Sequence, residues 1–270
     1  MASGHTSSSV DFDKMLMDYE RLVEPLTLPA ALQSLDLTDV SPGVCVIDVA
    51  AGTGGFAVAA ARRGARVLST DIAPGMVARA GERLHKFDGC KSRVMGFDAL
   101  QVRDATFDAA FSHFGVLAFA SGDKGLHELV RVTRPGGRVA VSNWDQEARA
   151  APQYLLRQVF AETFPNRQLW PDDFFPLWSN EAIAAALDEA GCIEAETFAC
   201  EGTWTVISPK TVMTDYAALV AALPGVRELT PSELEELGEA FGTAIERYVG
   251  NDGVARIPTQ ARVARGRKAK

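Results

Sequence analysis

Three aspartates and a histidine stand where apolar runs end. Asp48 lies inside Val46-Ile47-Asp48-Val49-Ala50-Ala51-Gly52-Thr53-Gly54-Gly55-Phe56-Ala57. Asp71 follows Arg66–Thr70, Asp98 follows Arg93–Phe97, and His113 comes shortly after Phe107–Phe111. A carboxylate at the edge of a buried strand is expensive unless something pairs with it. Two partners would suit Asp48: an ammonium group on a ligand, or the backbone N–H groups of a turn in need of an acceptor. Gly52 and Gly54 read as positions where a ligand approaches bare backbone, with simple turn glycines as the alternative. His113 has the chemistry of a general base or a substrate hydrogen-bond partner, and equally that of a residue lining the site.

The elements around these residues alternate. Residues 11–36 carry apolar side chains at near-helical spacing, with Pro25 as an interruption. Strands are predicted at 44–50, 66–70, 93–97, 107–111 and 138–143. Helices are predicted at 56–63, 74–84 and 124–133. Strand and helix in alternation with short connections mean a parallel sheet covered on both faces. In such sheets ligands bind outside the carboxyl ends of the strands, where Asp48, Asp71, Asp98 and His113 would converge.

Gly52-Thr53-Gly54-Gly55-Phe56-Ala57 satisfies the dinucleotide pattern G-x-G-x-x-G/A, and Asp71 follows Gly52 by 19 residues. An NAD(P)-linked oxidoreductase is therefore a competing reading. A pyrophosphate, however, is repelled by a carboxylate beside it. S-adenosyl-L-methionine has no phosphate and carries an ammonium and a sulfonium beside its adenosine half, which accounts for Asp48 and Asp71 together.

Asp48-x-Ala50-x-Gly52-x-Gly54 resembles motif I of the class I S-adenosylmethionine-dependent methyltransferases, D/E-x-G-x-G-x-G, with Ala50 in place of the first glycine. Thr70-Asp71-Ile72-Ala73-Pro74-Gly75-Met76 resembles the second motif of that family. Gly96-Phe97-Asp98-Ala99 resembles its "GDA" motif with Phe97 inserted. The stretch from Leu126 to Arg138 is similar to the helix and turn before its fifth strand. Tyr19–Thr27, Ser112–Val116 and Asp252–Pro258 fit the ubiquinone/menaquinone-biosynthesis-like branch. These motifs span most of the chain. They are specific for fold and cofactor and unspecific for the methyl acceptor.

The resemblance implies a Rossmann-like α/β fold: a seven-stranded, mostly parallel sheet with helices on both faces and a helical cap. It implies S-adenosyl-L-methionine as cofactor, held by Tyr19, Asp48, Ala50, Gly52, Gly54, Asp71, Ile72, Met76, Asp98, Ala99 and Ser112. Asp71 would accept from two ribose hydroxyls, with a helix N-cap as the alternative. Met76 would lie against the adenine or be a core methionine. Asp98 would accept from the adenine amino group or be a turn aspartate. Tyr19 would close over the cofactor or simply pack its own helix, and His113 is the candidate catalytic residue.

The whole chain, 1–270, is expected to form one methyltransferase domain: an N-terminal helical segment at 11–36, a cofactor-binding core at 44–145, cap segments at 146–178 and 208–249, and a final strand at 259–266. Between the cap segments a helix is predicted at 181–190 and a strand at 193–199. Thr230-Pro231-Ser232-Glu233 reads as a capping box opening an amphipathic helix. Phe174, Phe175 and Trp178 are candidate substrate-binding aromatics, or a satellite core beneath a long connection. The acceptor is expected to be a small organic molecule.

The net charge of -8 gives no electrostatic footprint for nucleic acid. Five basic side chains fall in the last ten residues and read as a strand end plus a solvated tail. The 4 cysteines are far apart, without metal-ligand or redox spacing. No run reaches membrane-spanning length and the start is polar, so the expected setting is the cytoplasm. A cofactor-binding regulator without catalysis is the third open class.

Overall fold

The computed structural model describes residues 15–172, 174 and 178–270. Seven strands form one sheet in the order β3-β2-β1-β4-β5-β7-β6. They are β1 Cys45–Val49, β2 Arg66–Asp71, β3 Lys91–Val94, β4 Phe107–His113, β5 Thr133–Trp144, β6 Cys192–Val206 and β7 Ala255–Lys268. The first five pair in parallel, whereas β7 runs antiparallel to both β5 and β6. The order reverses between β1 and β4, which opens a crevice at the carboxyl ends of those two strands.

Each face is covered by helices with apolar stripes. On one face Ala31, Leu35, Ala57, Ala60, Ala61 and Leu84 pack around Val46, Val67 and Phe111. These side chains come from the helices Glu24–Leu37, Gly55–Arg62 and Pro74–Leu84. On the other face Leu126, Leu129, Val130, Ile183 and Leu187 cover Ile47, Val49, Ala110, Val139 and Val141. Their helices are Gly122–Val132 and Asn180–Glu189. A third apolar cluster builds the cap, with Phe160, Trp170, Trp204, Val206, Phe241 and Ile245 among its members. The capping box at Thr230 and Glu233 is formed as expected and starts the cap helix Pro231–Glu246.

Several elements depart from their sequence signatures. Residues Leu16–Leu37 are helical almost throughout, so Pro25 does not interrupt the helix. A π-helical turn at Tyr19–Val23 precedes it, in which the Glu24 N–H reaches back to the Tyr19 carbonyl. The wide turn makes room for a proline ring that has no N–H to give. β3 is Lys91–Val94 rather than 93–97. Its residues are mostly exposed, as an edge strand with charged side chains is, and the apolar signal of Met95 belongs to the turn behind it. Residues 134–137 are a bulged excursion within β5, where the register to β4 shifts between Phe107 and Ala109.

β6 runs on to Val206, and β7 spans Ala255–Lys268 instead of 259–266. Pro258 is accommodated because β5 pairs only with Ala261–Arg267, so the β5 ladder asks no N–H of the proline. The C-terminal basic run is strand as far as Lys268, with Ala269 and Lys270 exposed beyond it. Arg262 pairs with Asp145, Arg265 with Glu196 and Arg267 with Glu194. Lys268 Nζ donates to the carbonyls of Arg131 and Thr133.

Candidate active site

The turn after β1 is shaped by left-handed backbone. Ala50, Gly52 and Gly54 have φ of 55°, 55° and 82°. Gly54 also abuts Ala80, whose Cβ would lie 2.9 Å from a Cβ placed there. Ala50 holds a conformation that costs an ordinary residue about 1–2 kcal/mol. Its methyl is matched by Gly115, where a Cβ would come within 2.5 Å of the Ala50 Cβ. The alanine in place of the family's first glycine is thus compensated by a missing side chain on the neighbouring loop.

Asp71 bonds this turn to β2. Its Oδ2 accepts from the Gly52 N–H at 2.8 Å and its Oδ1 from the Ala73 N–H at 3.0 Å. The helix that follows has Ala73 as its N-cap and receives no side-chain cap. Beside Asp71, Ile72 is 67% exposed, whereas Met76 is 1% exposed and belongs to the core. Asp98 and Ala99 are exposed in the turn after β3.

Asp48 is 1% exposed, and among the described residues its Oδ2 has no hydrogen-bond partner. Burial first, then the negative charges of Asp71 and Glu24, push its carboxyl up to about 8. A hydrogen bond from the Ala57 N–H opposes them. A buried oxygen with a spare lone pair, facing bare glycine backbone, fits a ligand ammonium.

The N-terminal helical segment lies across the turn. The Tyr19 ring sits over Gly52, with Cε1 2.9 Å from where a Cβ would be. Glu20 accepts two hydrogen bonds from Arg79, at 2.6 and 2.8 Å, and Glu24 two from Arg83, also at 2.6 and 2.8 Å. Glu24 further accepts from the Thr53 hydroxyl at 2.6 Å, while Arg83 donates to the Thr53 carbonyl at 3.0 Å. Gly55 admits this carboxylate, since a Cβ there would lie 2.5 Å from the Glu24 Cδ. The space left between Tyr19, Asp48, Phe56 and His113 is about 30 Å³. None of these glutamate and arginine roles has a sequence signature, because the partners lie 29 to 59 positions away on other elements.

His113 is held by two serines. Ser34 Oγ lies 3.0 Å from Nε2 and Ser142 Oγ 2.9 Å from Nδ1. The Ser34 hydrogen goes to the Ala31 carbonyl at 2.6 Å, so Nε2 carries the proton and Nδ1 accepts from Ser142. Burial pushes the imidazole down to about 3. It is therefore neutral with both ring nitrogens engaged, packed 4.8 Å from Phe56 between ring centroids. That arrangement suits a wall rather than a base. Ser112 Oγ accepts from the Val116 N–H at 3.0 Å and fixes the loop after β4.

Next to this site is a cavity of about 360 Å³ under the cap. Tyr19 and Thr27 line both spaces. The aromatic walls are Phe114, Trp144, Tyr154, Trp204, Tyr216 and Phe241, and among the described residues no Asp, Glu, Lys, Arg or His side chain lines it. The described aromatics expected from sequence, Phe174 and Trp178, do not line it. Trp178 donates its indole N–H to the Leu117 carbonyl at 3.0 Å and packs on the sheet core. Phe174 packs against the cap cluster outside the lining, and Phe175 falls outside the described residues. None of the described aromatics at 160–178 lines this cavity. Trp204, which does line it, is buried in alternation with Val206 at the end of β6.

Residues 47–141 match a methyltransferase domain family. The chain is 32% identical over 175 residues to Rv1405c, an uncharacterised protein of Mycobacterium tuberculosis (strain H37Rv), covering 64% of this chain and 62% of that one. The first curated relatives are thus matched over less than two thirds of their own length. Demethylmenaquinone methyltransferase of Beutenbergia cavernae is 32% identical over 173 residues, covering 58% of this chain and 69% of that protein. Among solved structures, the YcgJ protein from Bacillus subtilis superposes with a TM-score of 0.59 at 14% identity, over 89% of this chain and 98% of its own. The carboxylate-flanked glycine turn, the sheet order and these relatives agree: the chain belongs to the class I S-adenosylmethionine-dependent methyltransferases, in the ubiquinone/menaquinone-like branch.

Proposed function

We propose that this protein is an S-adenosylmethionine-dependent methyltransferase acting on an uncharged, largely apolar small molecule held beneath the cap. The observation that carries the reading is the shared wall of Tyr19 and Thr27 between a space holding Asp48, whose buried Oδ2 has no hydrogen-bond partner among the described residues, and a cavity that no described charged side chain lines. Asp48 would hold the cofactor's ammonium, Asp71 with the bare Gly52 and Gly54 backbone its ribose, and Ile72 with Asp98 and Ala99 its adenine. When bound, the cofactor supplies a methyl group activated by its sulfonium.

The chain's own contribution is orientation and exclusion of water. Holding two reacting groups in line is worth roughly 7–11 kcal/mol, which apolar walls and a closed strap can supply. His113 serves as a neutral, serine-anchored wall, and among the described residues no charged side chain lines the acceptor cavity to remove a proton. The acceptor therefore brings a nucleophile that needs no strong base. A nucleic acid would need lysines and arginines on this face, and we place the enzyme in the cytoplasm. Its cysteines are free and, among the described residues, no helix is long and apolar enough to cross a membrane.

Thermal unfolding tests the cofactor. S-adenosylhomocysteine at 100 times its dissociation constant adds about 2.7 kcal/mol, a rise of roughly 5–10 °C for a chain of this size, and NAD(H) adds nothing. Equal stabilisation by NAD(H) would reinstate the oxidoreductase. Product detection with labelled methyl donor across metabolite classes then separates an enzyme from a cofactor-binding regulator.

Asp71 and Met76 are expected to divide their effects. Asp71→Ala removes an acceptor from the cofactor and from the Gly52 N–H, so calorimetric affinity for S-adenosylhomocysteine falls by about 1–3 kcal/mol. Met76→Ala opens a buried cavity and lowers folding stability by about 2–5 kcal/mol with affinity nearly unchanged. The reverse division would mean that Met76, not Asp71, contacts the cofactor.

A further inference from the structure

Among the described residues the walls of the cap cavity are apolar apart from hydroxyl, amide and indole groups, so those groups decide which acceptor it holds. One of them is fixed in direction. Trp204 is 2% exposed, and its indole N–H, which can only donate, lies 2.6 Å from the Tyr216 hydroxyl oxygen. That oxygen must accept, so the hydroxyl's own hydrogen points elsewhere. Among the described residues no acceptor receives it. The ring is held as well: Trp204 stands edge-on to Tyr216 at 5.5 Å and 86°, and packs 6.1 Å from Phe241. Burial pushes the Tyr216 phenol up, which keeps it a neutral donor.

A donor held in place in an apolar wall favours a ligand that can satisfy it and disfavours one that cannot. We infer that Tyr216, anchored by Trp204, is the specificity-determining donor of the cap cavity, and that the molecule it selects is uncharged and carries a hydrogen-bond-accepting oxygen such as a carbonyl or ether. This rests on the reading of the cavity as the acceptor site. Tyr154, on the helix Pro152–Thr163, lines the same cavity with a hydroxyl that no described side chain fixes, and so serves as the internal control.

The test uses two probes of nearly equal size, 2-acetylnaphthalene and 2-ethylnaphthalene, which differ by one carbonyl oxygen. Their dissociation constants are measured calorimetrically on the full chain with S-adenosylhomocysteine present. The ratio between them removes differences in general hydrophobicity. Tyr216→Phe is expected to shift that ratio about three- to tenfold against the ketone relative to the wild type. Tyr154→Phe is expected to leave it within twofold. An unchanged ratio in Tyr216→Phe overturns the inference, as does a shift in Tyr154→Phe alone or failure of both probes to bind the wild type. The thermal shift with S-adenosylhomocysteine, retained by Tyr216→Phe, shows that the variant is folded. Absence of that shift in the wild type sinks the methyltransferase reading instead, while the probe ratio still reports on Tyr216.

Discussion

Replacing Asp48 by asparagine is expected to stabilise the ligand-free protein at alkaline pH and to abolish tight binding of S-adenosylhomocysteine. The carboxyl is pushed up to about 8, chiefly by burial and then by Asp71 and Glu24. In the unfolded chain it titrates near the ordinary aspartate value, so between about pH 4 and pH 8 the native state binds the extra proton. Stability is then greatest below the unfolded value and falls as pH rises through 8. Asp48→Asn removes that slope, because an amide has no proton to lose, and at pH 9 the variant should be the more stable by on the order of a few kcal/mol. Ligand binding moves the other way. A ligand ammonium needs the ionised carboxylate, and truncating one side of a buried charged pair costs about 2–5 kcal/mol, at least roughly thirtyfold in dissociation constant. Melting temperature across pH 5–9, with and without S-adenosylhomocysteine, reads both effects. Parallel pH profiles for the two proteins, or affinity retained within threefold, would mean that Asp48 serves the turn and not the ligand.

The same residue explains why the cofactor half was legible in the sequence. Asp48, Gly52, Gly54 and Asp71 lie within 24 positions, on two adjacent strands and the turn between them. Local chemistry dictates them: positive φ calls for glycine, and a strand-end carboxylate calls for a partner. The sheet followed from alternation alone, because a parallel strand needs a crossover helix. Legibility ends where partners are distant. Glu24 meets Thr53 and Arg83, and Trp204 meets Tyr216 on a segment whose short helices carry no period. Tyr216 sits between two of them, Val212–Asp215 and Ala217–Val220. The cap cavity is lined by Tyr19, Phe114, Tyr154 and Phe241, among others, drawn from four separate parts of the chain. Each is an ordinary apolar or aromatic residue in its own element, so nothing local distinguishes it from core.

Breaking the clamp between Glu24 and Arg83 is expected to have the second large effect. Glu24 is 14% exposed and Arg83 21%, so the pair is far from a solvated surface bridge. Removing one partner of a buried pair costs about 3–5 kcal/mol because the other charge is left uncompensated. Here the cost is reduced, since Arg83 keeps some solvent and Glu20 stands 3.9 Å from it. Glu24→Ala should therefore lower the unfolding free energy by roughly 2–3 kcal/mol, read by urea titration with an unchanged slope. Arg83→Met alone should cost a similar amount, and the double variant much less than their sum, because each single change strands the other charge. The functional consequence follows from position. Glu24 also receives the Thr53 hydroxyl and occupies the space that the missing Gly55 side chain leaves, so its helix and the glycine turn are one unit. With the space beneath Tyr19 at about 30 Å³, a ligand of nucleoside size enters only if this segment moves outward. Loosening the clamp should raise both the association and dissociation rates of S-adenosylhomocysteine, and high salt should do the same to the wild type through the more exposed Glu20–Arg79 pair. Stopped-flow exchange rates that are insensitive to Glu24→Ala and to salt would show that the ligand enters without displacing this helix.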